Sequence, residues 1–232
     1  MARIGIVAAL DYEIRLFVER CGLHRLIEKP FEALYTGFFA GHSLTLVLCG
    51  VGKVNAAVCT QKLIDRFHPE YIIHTGFAGA VSKTLRPLDI AVADELTYHD
   101  FHPLSLLGKY APFTERFTCD KDLKEAACRA AERLAREGGF RYETGTVVSG
   151  DMFVEDSAYK QSLRDRFDAV CTEMEGAAVA QTAYLSDVPF CVIRAISDSA
   201  DEAADMTFDE MVPFAANRTA EIVTEMIRGL PV

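Results

Sequence analysis

Four acids, Glu13, Glu173, Glu175 and Asp198, stand where apolar runs of the chain give out. A carboxylate at the edge of a core costs free energy unless it is paired or used. Two of the four, Glu173 and Glu175, flank Met174 in "CTEMEGAAVA" (171–180), just ahead of small residues that read as a buried helix. No Ser/His/Asp or Cys/His set accompanies them, since His74 and His99 lie near no serine or cysteine motif. No His/Asp cluster has metal-ligand spacing. The glycine-rich "GVGKVNAA" (50–57) is neither GxxxxGK[ST] nor GxGxxG and reads as a tight strand-to-helix turn. What remains is carboxylate chemistry on a small molecule.

The elements that must carry these acids are legible as short apolar runs at 3–9, 43–50, 71–76, 89–95, 144–150, 168–175 and 190–197. Several do not alternate, which suits strands covered on both faces. Between them lie helical patterns. The clearest covers 122–137, with Leu123, Ala126, Ala127, Ala130, Ala131 and Leu134 on one face. A last helix is expected from Thr207, where Thr207 and Glu210 form a capping box, with Pro213 kinking or interrupting it and Ala215, Ile222, Val223 and Met226 facing inward. Residues 98–119 show no clear periodicity and read as a long loop, a lid or an interface segment. The pattern is α/β, one domain over 1–232 with a large central sheet. In such sheets ligands sit at the carboxyl ends of the strands, which directs attention to Glu13, 76–79, 149–153, 173–175 and Ser197-Asp198.

Composition narrows the partner. The chain has 232 residues, half of them hydrophobic, and a net charge of −10. That charge disfavours nucleic acid. No apolar run approaches the roughly 20 residues of a membrane span. The first residues run straight into a strand-like segment, so no signal peptide is expected. The seven scattered cysteines fit reduced core thiols in the cytoplasm.

The stretches "GIVAALDYEI" (5–14), "CGVGKVNAA" (49–57), "HTGFAGA" (74–80), "VSGDMF" (148–153), "EMEGAAVA" (173–180) and "RAISDSAD" (194–201) resemble, in order and over nearly the whole chain, the motif series of bacterial 5'-methylthioadenosine/S-adenosylhomocysteine nucleosidases of the nucleoside phosphorylase superfamily. The resemblance implies a three-layer α/β/α sandwich around a mixed, partly barrel-like sheet, a homodimer, and hydrolysis of the bond between adenine and a 5'-thioribose without metal or cofactor. It also implies roles. Asp198 matches the general acid at adenine N7, and Glu13 the carboxylate that activates water. Glu175 matches the acid on the ribose hydroxyls, with Met174 against the sugar. Phe153 matches the ring that stacks on adenine, and Val154 the residue whose backbone bonds the base. Phe208 matches an aromatic near the 5'-substituent. Arg194 is a candidate for holding the water or Glu13, Ser197 a site neighbour, and Glu173 a support for Glu175 or for nearby backbone. The chemistry fits these types: the leaving base needs a proton, and the oxocarbenium-like sugar favours a nearby negative charge.

One departure stands out. Phe77 occupies a position where the family usually has serine, and its ring can make no hydrogen bond. Rival readings are a phosphate-dependent purine nucleoside phosphorylase, a hydrolase of another nucleoside such as futalosine or aminofutalosine, and a non-catalytic nucleoside-binding protein.

Overall fold

The computed structural model describes residues 1–29, 32–198 and 208–231. In chain order the elements are β1 (Arg3–Ala8), α1 (Asp11–Cys21), β2 (His24–Lys29), β3 (Glu32–Phe39), β4 (His42–Leu48), α2 (Lys53–Phe67), β5 (Tyr71–Ala80), β6 (Ile90–Tyr98), α3 (Ser105–Lys109), β7 (Phe117–Thr118), α4 (Lys121–Gly138), β8 (Tyr142–Ser149), α5 (Ser157–Phe167), β9 (Ala169–Glu173), α6 (Gly176–Leu185), β10 (Phe190–Asp198) and α7 (Phe208–Arg228).

The sheet is mixed and partly closed. Its path runs β10-β6-β8-β9-β5-β1-β4-β3-β2, and β10 also pairs with β5. Five strands therefore form a ring, β10-β6-β8-β9-β5, from which β1, β4, β3 and β2 extend as an open tail. The β5–β10 seam is parallel and long, from Ile72↔Phe190 to Gly79↔Asp198. The β5–β9 seam is short and antiparallel, Gly79↔Thr172 and Ala80↔Cys171. Helices cover both faces. One core cluster joins α2 and α6 to the sheet through Ala56, Leu63, Ala177 and Ala183, and the other joins α1, α4 and α7 through Ile14, Phe17, Ala127 and Val223. This is the three-layer, partly barrel-like architecture the sequence implied.

All seven apolar runs are strands, because runs without polar alternation can only sit where both faces are covered. The helix read at 122–137 spans Lys121–Gly138, starts at Asp120, whose side chain accepts the Leu123 N–H, and buries Leu123, Ala126, Ala127, Ala130 and Ala131. Three readings need correction. The β2–β3 hairpin was not among the expected strands. The stretch 98–119 is not one unbroken loop, since it contains α3 and β7. The last helix is not interrupted at Pro213: α7 runs through it, which forfeits one intrahelical hydrogen bond. The expected inward face of α7 is buried, with Ala215 and Ile222 fully so. Thr207 and its capping box lie outside the described residues. No described helix is long and apolar enough to cross a membrane.

Candidate active site

The carboxyl ends of β1, β5, β8, β9 and β10 surround a cavity of about 230 Å³ with mostly apolar walls. Glu13, Phe77, Phe153, Val154, Glu173, Met174, Glu175 and Ser197 all line it, so eight of the expected site residues are brought together. Arg194 lies beside it, fully buried on β10. Asp198 closes β10, and its backbone pairs with Gly79, but its side chain lies outside the described set, as does that of Phe208 at the start of α7.

Glu13 is placed by main chain. The β1–α1 turn sets it three residues into the helix, where its Oε2 accepts the N–H groups of Ala9 at 2.9 Å and Leu10 at 2.8 Å. From across the sheet the Phe77 N–H reaches its Oε1 at 3.1 Å. Burial raises the Glu13 pKa above the ordinary value, while Arg194 and those three N–H groups pull the other way. At position 77 it is the peptide, not the side chain, that meets Glu13. The ring, half-buried, stacks instead on Tyr12 with centroids 5.8 Å apart.

Glu173 and Glu175 live in opposite environments two residues apart. Glu173 ends β9 and is fully enclosed. Its Oε2 accepts the N–H groups of Glu175 at 3.1 Å and Gly176 at 2.7 Å, the first donors of α6, and pairs with Arg194; its Oε1 accepts from the Ser149 hydroxyl. Burial opposes its charge, but the Arg194 guanidinium, helped by the Ser149 hydroxyl, prevails and holds its pKa at about 2. Glu175, at the cap position of α6, accepts the Gly52 N–H at 2.8 Å. Burial first, then the charge of Glu173, lift its pKa to about 7. Of the two roles expected for Glu173, the structure shows hydrogen bonds to nearby backbone, the Glu175 and Gly176 N–H groups.

Arg194 binds that network together. Its Nη2 contacts Glu173 and the Nε2 of His74, whose Nδ1 donates to the Val7 carbonyl at 2.9 Å. His74 is thereby fixed as the neutral Nδ1–H tautomer, and burial and Arg194 both lower its pKa. Arg194 Nε and Nη1 are buried and have no hydrogen-bond partner among the described residues. Nη1 and Glu13 Oε1 converge beside Gly76: a Cβ there would collide with the first and lie 2.7 Å from the second. A donor and an acceptor thus face one small space. His74, Glu173 and Glu175 are the described trio close enough for a metal. The His74 lone pair is taken by the guanidinium, however, whose positive charge would oppose a cation there.

Phe153 is exposed at the mouth of the cavity rather than packed in the core, with Met152 beside it. Sequence reasoning did not assign Leu10, Tyr12, Val51, Met152 and Thr172 to the lining, nor Ser149 and His74 to the network. Tyr12 had a signal in its place beside Glu13. His74 had none, because its partner Arg194 is 120 residues away.

Comparison with known proteins gives a consistent result. The family model described as the phosphorylase superfamily matches residues 3–228. The 5'-methylthioadenosine/S-adenosylhomocysteine nucleosidase of Staphylococcus carnosus is 36% identical over 231 residues, covering 98% of this chain and all of the relative. The crystal structure of the Neisseria meningitidis 5'-methylthioadenosine/S-adenosylhomocysteine nucleosidase in complex with methylthio-immucillin-A superposes with a TM-score of 0.89 at 36% identity, over 99% of this chain and 100% of that one. That of the Streptococcus pyogenes S-adenosylhomocysteine nucleosidase with 5-methylthiotubericidin gives 0.88 at 34% identity, over 100% and 98%.

Proposed function

The chain belongs to the phosphorylase superfamily and, within it, to the 5'-methylthioadenosine/S-adenosylhomocysteine nucleosidases, N-glycosyl hydrolases, and we propose that its single domain hydrolyses methylthioadenosine and S-adenosylhomocysteine to adenine and the 5'-thioribose. Asp198 protonates adenine at N7. Glu13 activates water, with Arg194 Nη1 as the water's second partner. Glu175 takes the ribose hydroxyls, Met174 lies against the sugar, Phe153 stacks on the base and the Val154 backbone bonds it. Ser197 borders the base, and Phe208 borders the 5'-substituent.

The observation that carries this reading is the convergence beside Gly76 of Glu13 Oε1 and Arg194 Nη1, which has no partner among the described residues. It is matched to a water, which needs one acceptor and one donor. It does not suit phosphate. Glu13, Glu173 and Glu175 would repel a dianion, against a single arginine that already faces Glu173. The test is incubation with methylthioadenosine with and without phosphate. Adenine and free methylthioribose, at a rate indifferent to phosphate, are expected; methylthioribose 1-phosphate would establish the phosphorylase instead. No adenine in either buffer would redirect the search to another 5'-substituent.

Glu175 gives this reading a pH signature. A ribose diol donates hydrogen bonds, so it prefers the ionised carboxylate. With a pKa of about 7 in the empty site, KM should fall about tenfold from pH 6 to pH 8 and then level off. In the ligand-free protein the sign is reversed. Between 4.5 and about 7 the fold disfavours the charge that the unfolded chain accepts, so Glu175 lowers stability as pH rises through that window. A KM that stays flat over the same range would remove Glu175 from the diol.

A homodimer and a cytoplasmic location complete the proposal. The dimer draws support from exposed apolar side chains on α2 (Val54, Val58), α6 (Tyr184, Leu185) and the 101–113 stretch (Tyr110, Phe113).

A further inference from the structure

Three stretches, 50–53, 98–100 and 150–153, meet at one amine whose role the proposed chemistry does not name. Lys53 Nζ lies 2.7 Å from Asp100 Oδ1, 2.6 Å from Asp100 Oδ2 and 3.6 Å from Asp151 Oδ2. The main chain repeats the tie. Asp151 Oδ1 accepts the Lys53 N–H at 3.0 Å, and the Asp151 N–H donates to Asp100 Oδ2 at 2.9 Å. Asp151 thereby caps the first turn of α2 from a loop 98 residues away. The ammonium also sits 5.5 Å from the centre of the Tyr98 ring.

Lys53 does not line the cavity, yet what it ties together does. The 50–53 turn supplies Val51 to the wall and the Gly52 N–H to Glu175. The 150–153 loop supplies Met152 and Phe153. The two approach so closely that a Cβ on Gly52 would lie 3.2 Å from Asp151 Oδ1, and Gly52 has φ +97°, which only glycine adopts readily. Two carboxylates at this seam need a cation between them. Without it the 50–53 turn loses its attraction to both carboxylates, and the 98–100 and 150–153 stretches that carry them repel each other.

We propose that Lys53 is a positioning residue: clasped between Asp100 and Asp151, it holds the 50–53 turn against the 150–153 loop, so that the Gly52 N–H meets Glu175 and Phe153 faces the base. This rests on the nucleosidase reading of the site. Magnitudes separate positioning from folding. The Lys53 and Asp100 side chains are 23% and 25% exposed and Asp151 is 50% exposed, so the pairs add little to stability. A displacement of about 1 Å in a binding wall can nonetheless cost on the order of 10²-fold in rate.

The test compares Lys53→Met and Lys53→Arg for kcat, KM and the pH profile of kcat/KM on methylthioadenosine, with thermal unfolding alongside. Lys53→Met should raise KM at least about tenfold while kcat changes less. Its acidic limb should move to higher pH, because Glu175 loses a donor to its ionised form. Lys53→Arg should restore both, since a guanidinium can span the two carboxylates. Asp151→Asn, which keeps an oxygen for the Lys53 N–H, should move KM the same way and stands in if Lys53→Met fails to fold. A folded Lys53→Met with KM and acidic limb within twofold of the parent would overturn the proposal. Inactivity of the parent would instead sink the nucleosidase reading, and a tenfold weaker adenine affinity of Lys53→Met by calorimetry would then still register the clasp.

Discussion

Glu13→Gln is expected to lower kcat by about 10³-fold while leaving KM within a few-fold, the middle of the range that a positioned general base supplies. The geometry says why the damage falls on kcat. In the parent all three backbone donors meet carboxylate oxygen, two at Oε2 and one at Oε1. An amide can present oxygen to one side only. It would keep the Ala9 and Leu10 bonds and turn its NH2 toward the Phe77 N–H and the proposed water. The water then faces donors from both Arg194 and the amide and has no base to take its proton. Folding should survive. One backbone donor loses its acceptor, about 1–3 kcal/mol, but a buried charge near Glu175 is removed as well. Initial rates together with calorimetric binding of a non-hydrolysable nucleoside check both halves. A kcat within tenfold of the parent would take Glu13 out of the chemical step.

Arg194→Met should be the most destabilising single change near the site. It strands the Glu173 carboxylate, enclosed and without its cation, and removing one partner of a buried pair costs about 3–5 kcal/mol. For a chain of this length that lowers Tm by about 10 °C. The double variant Arg194→Met/Glu173→Gln should regain a good part of the loss, because the orphaned charge goes with its partner. Scanning calorimetry of the parent and the three variants reads the coupling; a double variant no more stable than Arg194→Met would mean that the pair's charge is not what matters. Acid sensitivity should change too. The depressed Glu173 pKa adds stability above pH 4.5 that is lost as pH falls toward about 2, and Arg194→Met should flatten that loss.

The sequence shows its strands best where the fold buries them most. β1, β5 and β10 are nearly unbroken apolar runs because both of their faces are covered, and the position of each acid after such a run was readable from that alone. β2, "HRLIEK", is mostly polar because it is the outer strand of the tail, and it offers neither a solid run nor clean alternation. α3 has five residues and β7 two, too few for any period to register. In the site, Glu13 and Glu175 stood out by motif, and their partners did not. Ser149 and His74 act through contacts 24 to 120 residues away in sequence. At Phe77 the unusual side chain drew attention, whereas the polar contact to Glu13 comes from the peptide, which any residue at that position would carry.

The closed ring of strands also sets an order in which the molecule can come apart. A strand in the ring has a neighbour on each side and cannot peel away unless a seam opens first, while β2 has one neighbour and can fray at any moment. Amide protons of β2 and β3 should therefore exchange with deuterium through small local openings, and those of β5 and β10 only through near-global unfolding. Arg194 and the Phe77 peptide ride on those two slowest strands. The Phe77 peptide that meets Glu13 and the guanidinium facing the same space would keep their mutual geometry through fluctuations that have already loosened the far edge of the sheet.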